Sequence, residues 1–133
     1  MEKAVPIETN VGVLNGRDCI FLDTVVQEEH NGTLVFKGDI NGNLIEKAKG
    51  WMPYTLTFTG VLACFYCELD TYNNLINTNE LVENSSFDLM ENSVWLKSLP
   101  VRDDYDKSKY KHYRLFTYDV VYDIIATEHT LDI

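Results

Sequence analysis

Tyr54-Thr55-Leu56-Thr57-Phe58-Thr59 alternates strictly between apolar and hydroxyl-bearing side chains. Successive side chains leave a strand on opposite sides, so Tyr54, Leu56 and Phe58 share one face and the three threonines the other. That is the period of a half-buried sheet whose threonine face meets water. Gly60 follows, and beyond it Val61-Leu62-Ala63-Cys64-Phe65-Tyr66-Cys67 is apolar on both faces. A glycine at such a junction marks a bulge where the strand bends into a more enclosed region. The pair of segments therefore predicts a curved sheet or a partly open barrel.

Further strand-like runs lie on either side. Asp18-Cys19-Ile20-Phe21-Leu22-Asp23 and Thr33-Leu34-Val35-Phe36-Lys37 flank Glu28-Glu29-His30-Asn31-Gly32, which carries the Asn-Gly hairpin signal, and a second Asn-Gly stands at Asn41-Gly42. Toward the C-terminus, Tyr113 to Tyr118 and Val120 to Ala126 form two strands meeting near Asp119, or one long bent strand. Helix is scarce. Asn92 to Leu99 is the best candidate, opened by a capping residue and stopped by Pro100, with a weaker one at Thr78 to Val82. The asparagine-rich stretch between Asp70 and Asn84 predicts an exposed loop. No linker or internal repeat divides the chain, so residues 1–133 are expected to form a single β-rich domain. Its class is mainly β, a β-rich α+β fold: a single curved antiparallel sheet or partly open barrel with one or two short helices.

At 133 residues, with 45% apolar and 12% aromatic side chains, the chain can bury a core without disulfides or metals. Met1 to Glu8 lacks the basic start and apolar centre of a secretory signal, and no apolar run approaches bilayer-spanning length. Three cysteines, Cys19, Cys64 and Cys67, are too few and odd in number for a secreted disulfide framework. These features predict a cytoplasmic protein, in which Asn31-Gly32-Thr33 and Asn84-Ser85-Ser86 act as turns and not as glycosylation sites.

Motifs that would carry chemistry are weak. Cys64-Phe65-Tyr66-Cys67 has redox or zinc spacing, but on a regular strand residues three apart point to opposite faces, and no second pair completes four ligands unless Cys19 and one of His30, His112 or His129 join in. Buried structural thiols are the expected role, with no metal. Lys37 to Leu44 matches a calcium loop at Asp39, Asn41 and Gly42, yet places Lys37 at the first ligand position and Ala48 at the bidentate carboxylate position. A hairpin turn explains it better.

Tyr105 to Arg114 interleaves basic and aromatic residues, and six of the eleven basic residues lie between Lys97 and Arg114. The formal net charge of −10 opposes nucleic-acid binding, which leaves a solvated loop feeding a strand. Glu68 and Asp70 share a strand face as solvated carboxylates. Nucleophile elbows, dinucleotide and phosphate loops and the His-Glu-x-x-His zinc motif are missing from the sequence, which points away from an enzyme and implies no cofactor. An enzymatic role for His112 would require an acid or a nucleophile within hydrogen-bond reach in a cleft.

The segments Ser85 to Leu96, Lys111 to Val120 and Ile124 to Ala126, about the last third of the chain, resemble small bacterial proteins. In size, acidity and lack of motif the chain is similar to the immunity proteins that bacteria pair with secreted toxins. Immunity proteins span unrelated folds, so the resemblance implies a partner class and carries over neither fold nor residues. The leading expectation is a non-enzymatic acidic binding protein, an immunity-type inhibitor that meets a basic toxin or nuclease through Glu28, Glu29, Asp103 and Asp104. Acidity that merely maintains solubility is the plainer account of the same charge. The alternative is a small-molecule-binding β domain with a pocket lined by Trp51, Tyr54, Phe58, Phe65 and Trp95. Pairing of an exposed sheet edge would also permit a dimer.

Overall fold

The computed structural model of the protein describes residues 1–45, 50–75 and 85–133. Strands β1 (Lys3–Pro6), β2 (Glu8–Thr9) and β3 (Gly12–Val13) lead into the long hairpin β4 (Ile20–Glu28) and β5 (Thr33–Asn41), then β6 (Trp51–Thr59) and β7 (Ala63–Glu68). Helix α1 (Leu69–Leu75) follows, then β8 (Phe87–Glu91), helix α2 (Val94–Ser98), β9 (Lys111–Phe116), β10 (Val120–Ala126) and β11 (Glu128–Asp132). All pairings are antiparallel: a five-stranded sheet ordered β1-β8-β9-β10-β7, a four-stranded sheet ordered β11-β6-β5-β4, and the small ladder β2-β3. The mainly-β class with two short helices is what the sequence predicts.

The expected bend at Gly60 is where the two larger sheets meet. β6 belongs to one and β7 to the other, and their partners β11 and β10 change sheet at the facing Thr127. Main-chain bonds continue around this corner, from Thr127 N to Thr59 O (3.0 Å), Leu62 N to Ile125 O (2.8 Å) and Val61 N to Gly32 O (3.0 Å). Gly60 adopts φ +65°, and a Cβ there would fall 2.5 Å from Thr127 Oγ1, so both conformation and close approach require glycine. One bent ribbon thus folds the sheet onto itself in two layers, in place of a single continuous sheet. The barrel stays open because, among the described residues, no strand pairs with the outer edges of β4 and β7.

Between the layers, Leu34, Phe36, Leu56 and Phe58 meet Phe87, Tyr113, Leu115, Tyr122 and Ile124. The rings interlock edge to face: Phe36 and Tyr122 have centroids 4.9 Å apart at 87°, a geometry that aromatic quadrupoles favour. Burial in β6 follows the alternation, with Tyr54, Leu56 and Phe58 inside and the threonines between them half-exposed.

Several local expectations hold. Asn31-Gly32 closes the β4–β5 turn with Gly32 at φ +63°, and β9 and β10 form a hairpin instead of one bent strand. In α2, Ser93 Oγ accepts the Leu96 amide at 3.0 Å as the N-cap. Asn41-Gly42 stands, as expected, where β5 turns toward its antiparallel partner β6, and it opens the connection with a short 3-10 turn at Gly42–Leu44 in which Asn41 Oδ1 accepts from Asn43 N. Lys37 and Asp39 lie in β5, while Ala48 falls outside the described residues.

The stretch expected to be an exposed loop from Asp70 onward begins as α1. Glu68, exposed at the end of β7 as expected, accepts from Asp70 N, Thr71 N and Thr71 Oγ1, each at 2.9 Å, and so caps the helix, while Asp70 lies in α1 and shares no strand face with it. Tyr72, 1% exposed, anchors α1 on Phe116 and Val121. The weaker helix expected at Thr78 to Val82 lies outside the described residues. Among the described residues, no helix is long and apolar enough to cross a membrane.

Candidate functional site

Alternation on β9 and β10 builds the site. Tyr113 and Leu115 on β9, like Tyr122, Ile124 and Ala126 on β10, enter the core between the sheets. The opposite parity, His112, Arg114 and Asp123, faces outward, where α1 and α2 flank it. Asp123 stands directly across from Arg114, and His112 lies two residues further along the same face of β9.

These three side chains are almost fully enclosed, at 3% exposure for His112, 12% for Arg114 and 8% for Asp123. Asp123 Oδ1 accepts from His112 Nε2 at 2.7 Å and from Arg114 Nε at 2.9 Å, while the Tyr72 hydroxyl donates to Oδ2 at 3.4 Å. On the other side of the ring, Ser93 Oγ lies 2.6 Å from His112 Nδ1. Because Ser93 Oγ already accepts the Leu96 amide, its proton is best placed toward Nδ1, which assigns the imidazole hydrogen to Nε2. Burial by itself would raise the Asp123 carboxyl. The hydrogen bond from His112 and the charge of Arg114 outweigh it and hold the group below the ordinary carboxylate range. Burial, then the Asp123 charge, pushes the Tyr72 phenol upward, so Tyr72 stays a neutral donor.

Above this floor opens a hollow of about 430 Å³, walled by Phe65, Tyr72, Val94 and Trp95 and rimmed by Glu2. The Trp95 ring meets His112 edge-on with centroids 5.3 Å apart, and the Arg114 guanidinium lies 5.7 Å from the Tyr72 ring centre. Glu2 Oε2 accepts the Val94 amide at 2.8 Å, but among the described residues no cation pairs with it. Charge in the hollow is therefore asymmetric: Asp123 is matched by Arg114, and Glu2 is unmatched.

The expected pocket residues separate. Phe65 and Trp95 line the hollow, Tyr54 and Phe58 pack inside the core, and Trp51 lies against Phe21 with centroids 5.1 Å apart. The pocket thus sits outside the five-stranded sheet and not within its curve, because the inward parity of β6 is consumed by the inter-sheet core. Glu28 and Glu29 are exposed at the β4–β5 turn, where Glu28 accepts from Asn31 Nδ2. Asp103 and Asp104 are exposed in the loop between α2 and β9, with Asp104 held 2.8 Å from Arg102. Glu28 and Glu29 line a hollow to which neither Asp103 nor Asp104 contributes.

Cys19, Cys64 and Cys67 are free thiols; Cys19 is buried, whereas Cys64 is exposed and Cys67 half-buried, in contrast to the expectation of buried structural thiols for the pair. Neither joins a group of three or more metal-ligating side chains among the described residues. In the basic-aromatic stretch, Lys107 Nζ donates to the carbonyls of Lys97 and Leu99, and His112 and Arg114 turn to Asp123, so three of the five lysine, arginine and histidine residues between Tyr105 and Arg114 serve internal bonds.

His112 does meet both an acid and a hydroxyl in a cleft. Ser93, however, is 4% exposed and absent from the lining, and its oxygen is held by Leu96 and His112 together. Ser93, His112 and Asp123 thus form one hydrogen-bonded line beneath the hollow. Asp123, Tyr72, Ser93 and Glu2 escaped the sequence reading. The available signal was Asp123 itself, a lone carboxylate inside the apolar run Val120 to Ala126, since a charge on a buried strand demands a partner. Compared with known proteins, the chain matches no family model, no curated sequence and no solved structure.

Proposed function

We propose that the protein is a non-enzymatic binding protein whose outer hollow takes a small organic cation with a flat apolar body. The observation that carries this reading is the unmatched Glu2 carboxylate at the rim of a wall of Phe65, Tyr72 and Trp95. Aromatic faces attract cations, by about 0.5–2 kcal/mol depending on desolvation. Arg114 does not oppose this ligand strongly, being neutralised by Asp123 at 2.9 Å. A net charge of −10 also draws cations toward the protein and repels anions. The apolar walls supply affinity, and the enclosed floor keeps the hollow open by preventing collapse of the side chains.

The test compares phenethylamine with phenylacetate, bodies of one shape and opposite charge, by calorimetry and by the indole N–H resonance of Trp95. Saturable binding of the amine alone, abolished by Val94→Trp at the exposed rim, is the expected result. Binding of both, of neither, or of the amine with Val94→Trp unaffected would reject the reading.

Recognition of a basic protein, as an immunity-type inhibitor would require, is a second proposal. It is favoured by the placement of Glu28 and Glu29 beside an open sheet edge.

A further inference from the structure

Strands β4 and β7 are each an outermost strand of their sheet among the described residues. One hollow opens beside both strands, and a second opens beside β4 and the β9–β10 turn. One, of about 330 Å³, lies between the tip of the β4–β5 hairpin and the start of β7, lined by Glu28, Glu29, Leu62 and Cys64 among others. The second, of about 400 Å³, lies between the first half of β4 and the start of β10, lined by Phe21, Asp23, Val25 and Tyr122 among others.

Natural sheets protect their edges with lysine, proline, bulges or a covering segment. β7, Ala63-Cys64-Phe65-Tyr66-Cys67-Glu68, has neither lysine nor proline, and Phe65 and Tyr66 are 46% and 68% exposed. β4 has a register irregularity between Leu22 and Thr24, but beyond it the pairing is regular and Val25 and Val26 are exposed. Among the described residues no strand pairs with the outer edge of either, although the Tyr118 amide donates to the Ile20 carbonyl at the start of β4.

We propose that this groove binds an extended basic segment of a partner protein, which adds as a strand between β4 and β7 and closes the open side of the barrel. Strand addition draws its affinity from main-chain hydrogen bonds and its selectivity from alternate side chains. Charge identifies the occupant. Asp23, Glu28 and Glu29 line the groove, Asp119 at one end is already paired with Arg17, and no lysine or arginine lines either hollow among the described residues. An incoming segment with lysine or arginine at alternate positions would meet these carboxylates while its other side chains cover Val25 and Tyr122. The site is separate from the outer hollow, so this proposal and the organic-cation reading can each fail alone, whereas it rests on the second reading, recognition of a basic protein, and names its binding edge.

The probe is a capped heptapeptide of alternating lysine and valine, added to the full chain labelled with 15N. Two controls accompany it: the glutamate–valine counterpart, and the lysine peptide N-methylated at alternate residues. The expected result is amide shifts concentrated on β4 and β7, weakening with salt, and lost with the N-methylated peptide. Reversing charge at Glu28 and Glu29 should weaken binding by about tenfold at low salt. Glu29→Lys alone guards against a disturbed turn, since the Glu29 side chain makes no hydrogen bond among the described residues. No binding, equal binding of the glutamate peptide, indifference to N-methylation or shifts elsewhere would overturn the proposal. So would a dimer in sedimentation equilibrium whose interface maps to these edges, because a second copy would then be the occupant.

Discussion

Arg114 and Asp123 are direct cross-strand neighbours on β9 and β10, and the Arg114 Nε lies 2.9 Å from a carboxylate that is only 8% exposed. Two residues along β9, His112 donates to the same Oδ1 at 2.7 Å. A single buried oxygen therefore ties two strands and the floor of the hollow together. Removing one member leaves a charge without its partner.

Arg114→Met should destabilise the fold by about 3–5 kcal/mol, the usual cost of stranding a buried charge. The double variant Arg114→Met with Asp123→Leu should recover much of that loss, since both charges leave together. Urea unfolding of the two singles and the double decides it; a double variant as unstable as the sum of the singles would refute the pairing.

Stability should fall with acid in two stages. Asp123 has a folded pKa below its unfolded value of about 3.9, so its contribution is complete above that value and disappears as pH falls through the folded pKa. His129, set against Phe87 and Tyr113, is lowered chiefly by burial and next by the Lys111 charge. Its contribution is present above the unfolded value of about 6.5 and declines as pH falls from there toward the folded pKa. His129→Phe should remove the upper stage and Asp123→Asn the lower one, as read from unfolding midpoints between neutral and acid pH.

Gly60→Ala should cost more than the roughly 1 kcal/mol of an ordinary left-handed alanine, because its Cβ would also strike Thr127. Thr127→Ala in the same chain should relieve the contact while retaining the backbone cost. Thermal unfolding of the single and double variants separates the two contributions. Equal Tm values for Gly60→Ala with and without Thr127→Ala would show that the corner relaxes freely.

Ser93→Ala removes an N-cap and the partner of His112 Nδ1 at once. A loss of about 1–2 kcal/mol is expected from the cap, together with a changed His112 ring resonance in NMR. Ser93→Thr, which retains the hydroxyl, should restore both. Loss of stability without any change at His112 would assign Ser93 to capping alone.

The bend at Gly60, the Asn31-Gly32 turn and a short helix within Asn92 to Leu99 were legible because each is written in neighbouring residues, whereas a β9–β10 hairpin and one long bent strand fitted the sequence equally. Alternation in Tyr54 to Thr59 even shows which side chains of β6 enter the core. The candidate site was far less legible. His112 and Arg114 looked like part of a solvated basic stretch, and their shared face becomes meaningful only when β10 brings Asp123 opposite them. Phe65 and Trp95, two of the five aromatic residues suggested for a pocket, do meet, although Tyr54 and Phe58 were already committed to the core.

By itself, then, the sequence determined the local periods and turns, and with them a mainly-β chain that bends once at Gly60. Only the tertiary structure decided that the outward faces of β9 and β10 become buried between α1 and α2, and that among the described residues no strand pairs with the outer edges of β4 and β7. The reason is physical: parity along a strand assigns a side chain to a face, but which faces are covered, and by what, depends on contacts between residues distant in the chain.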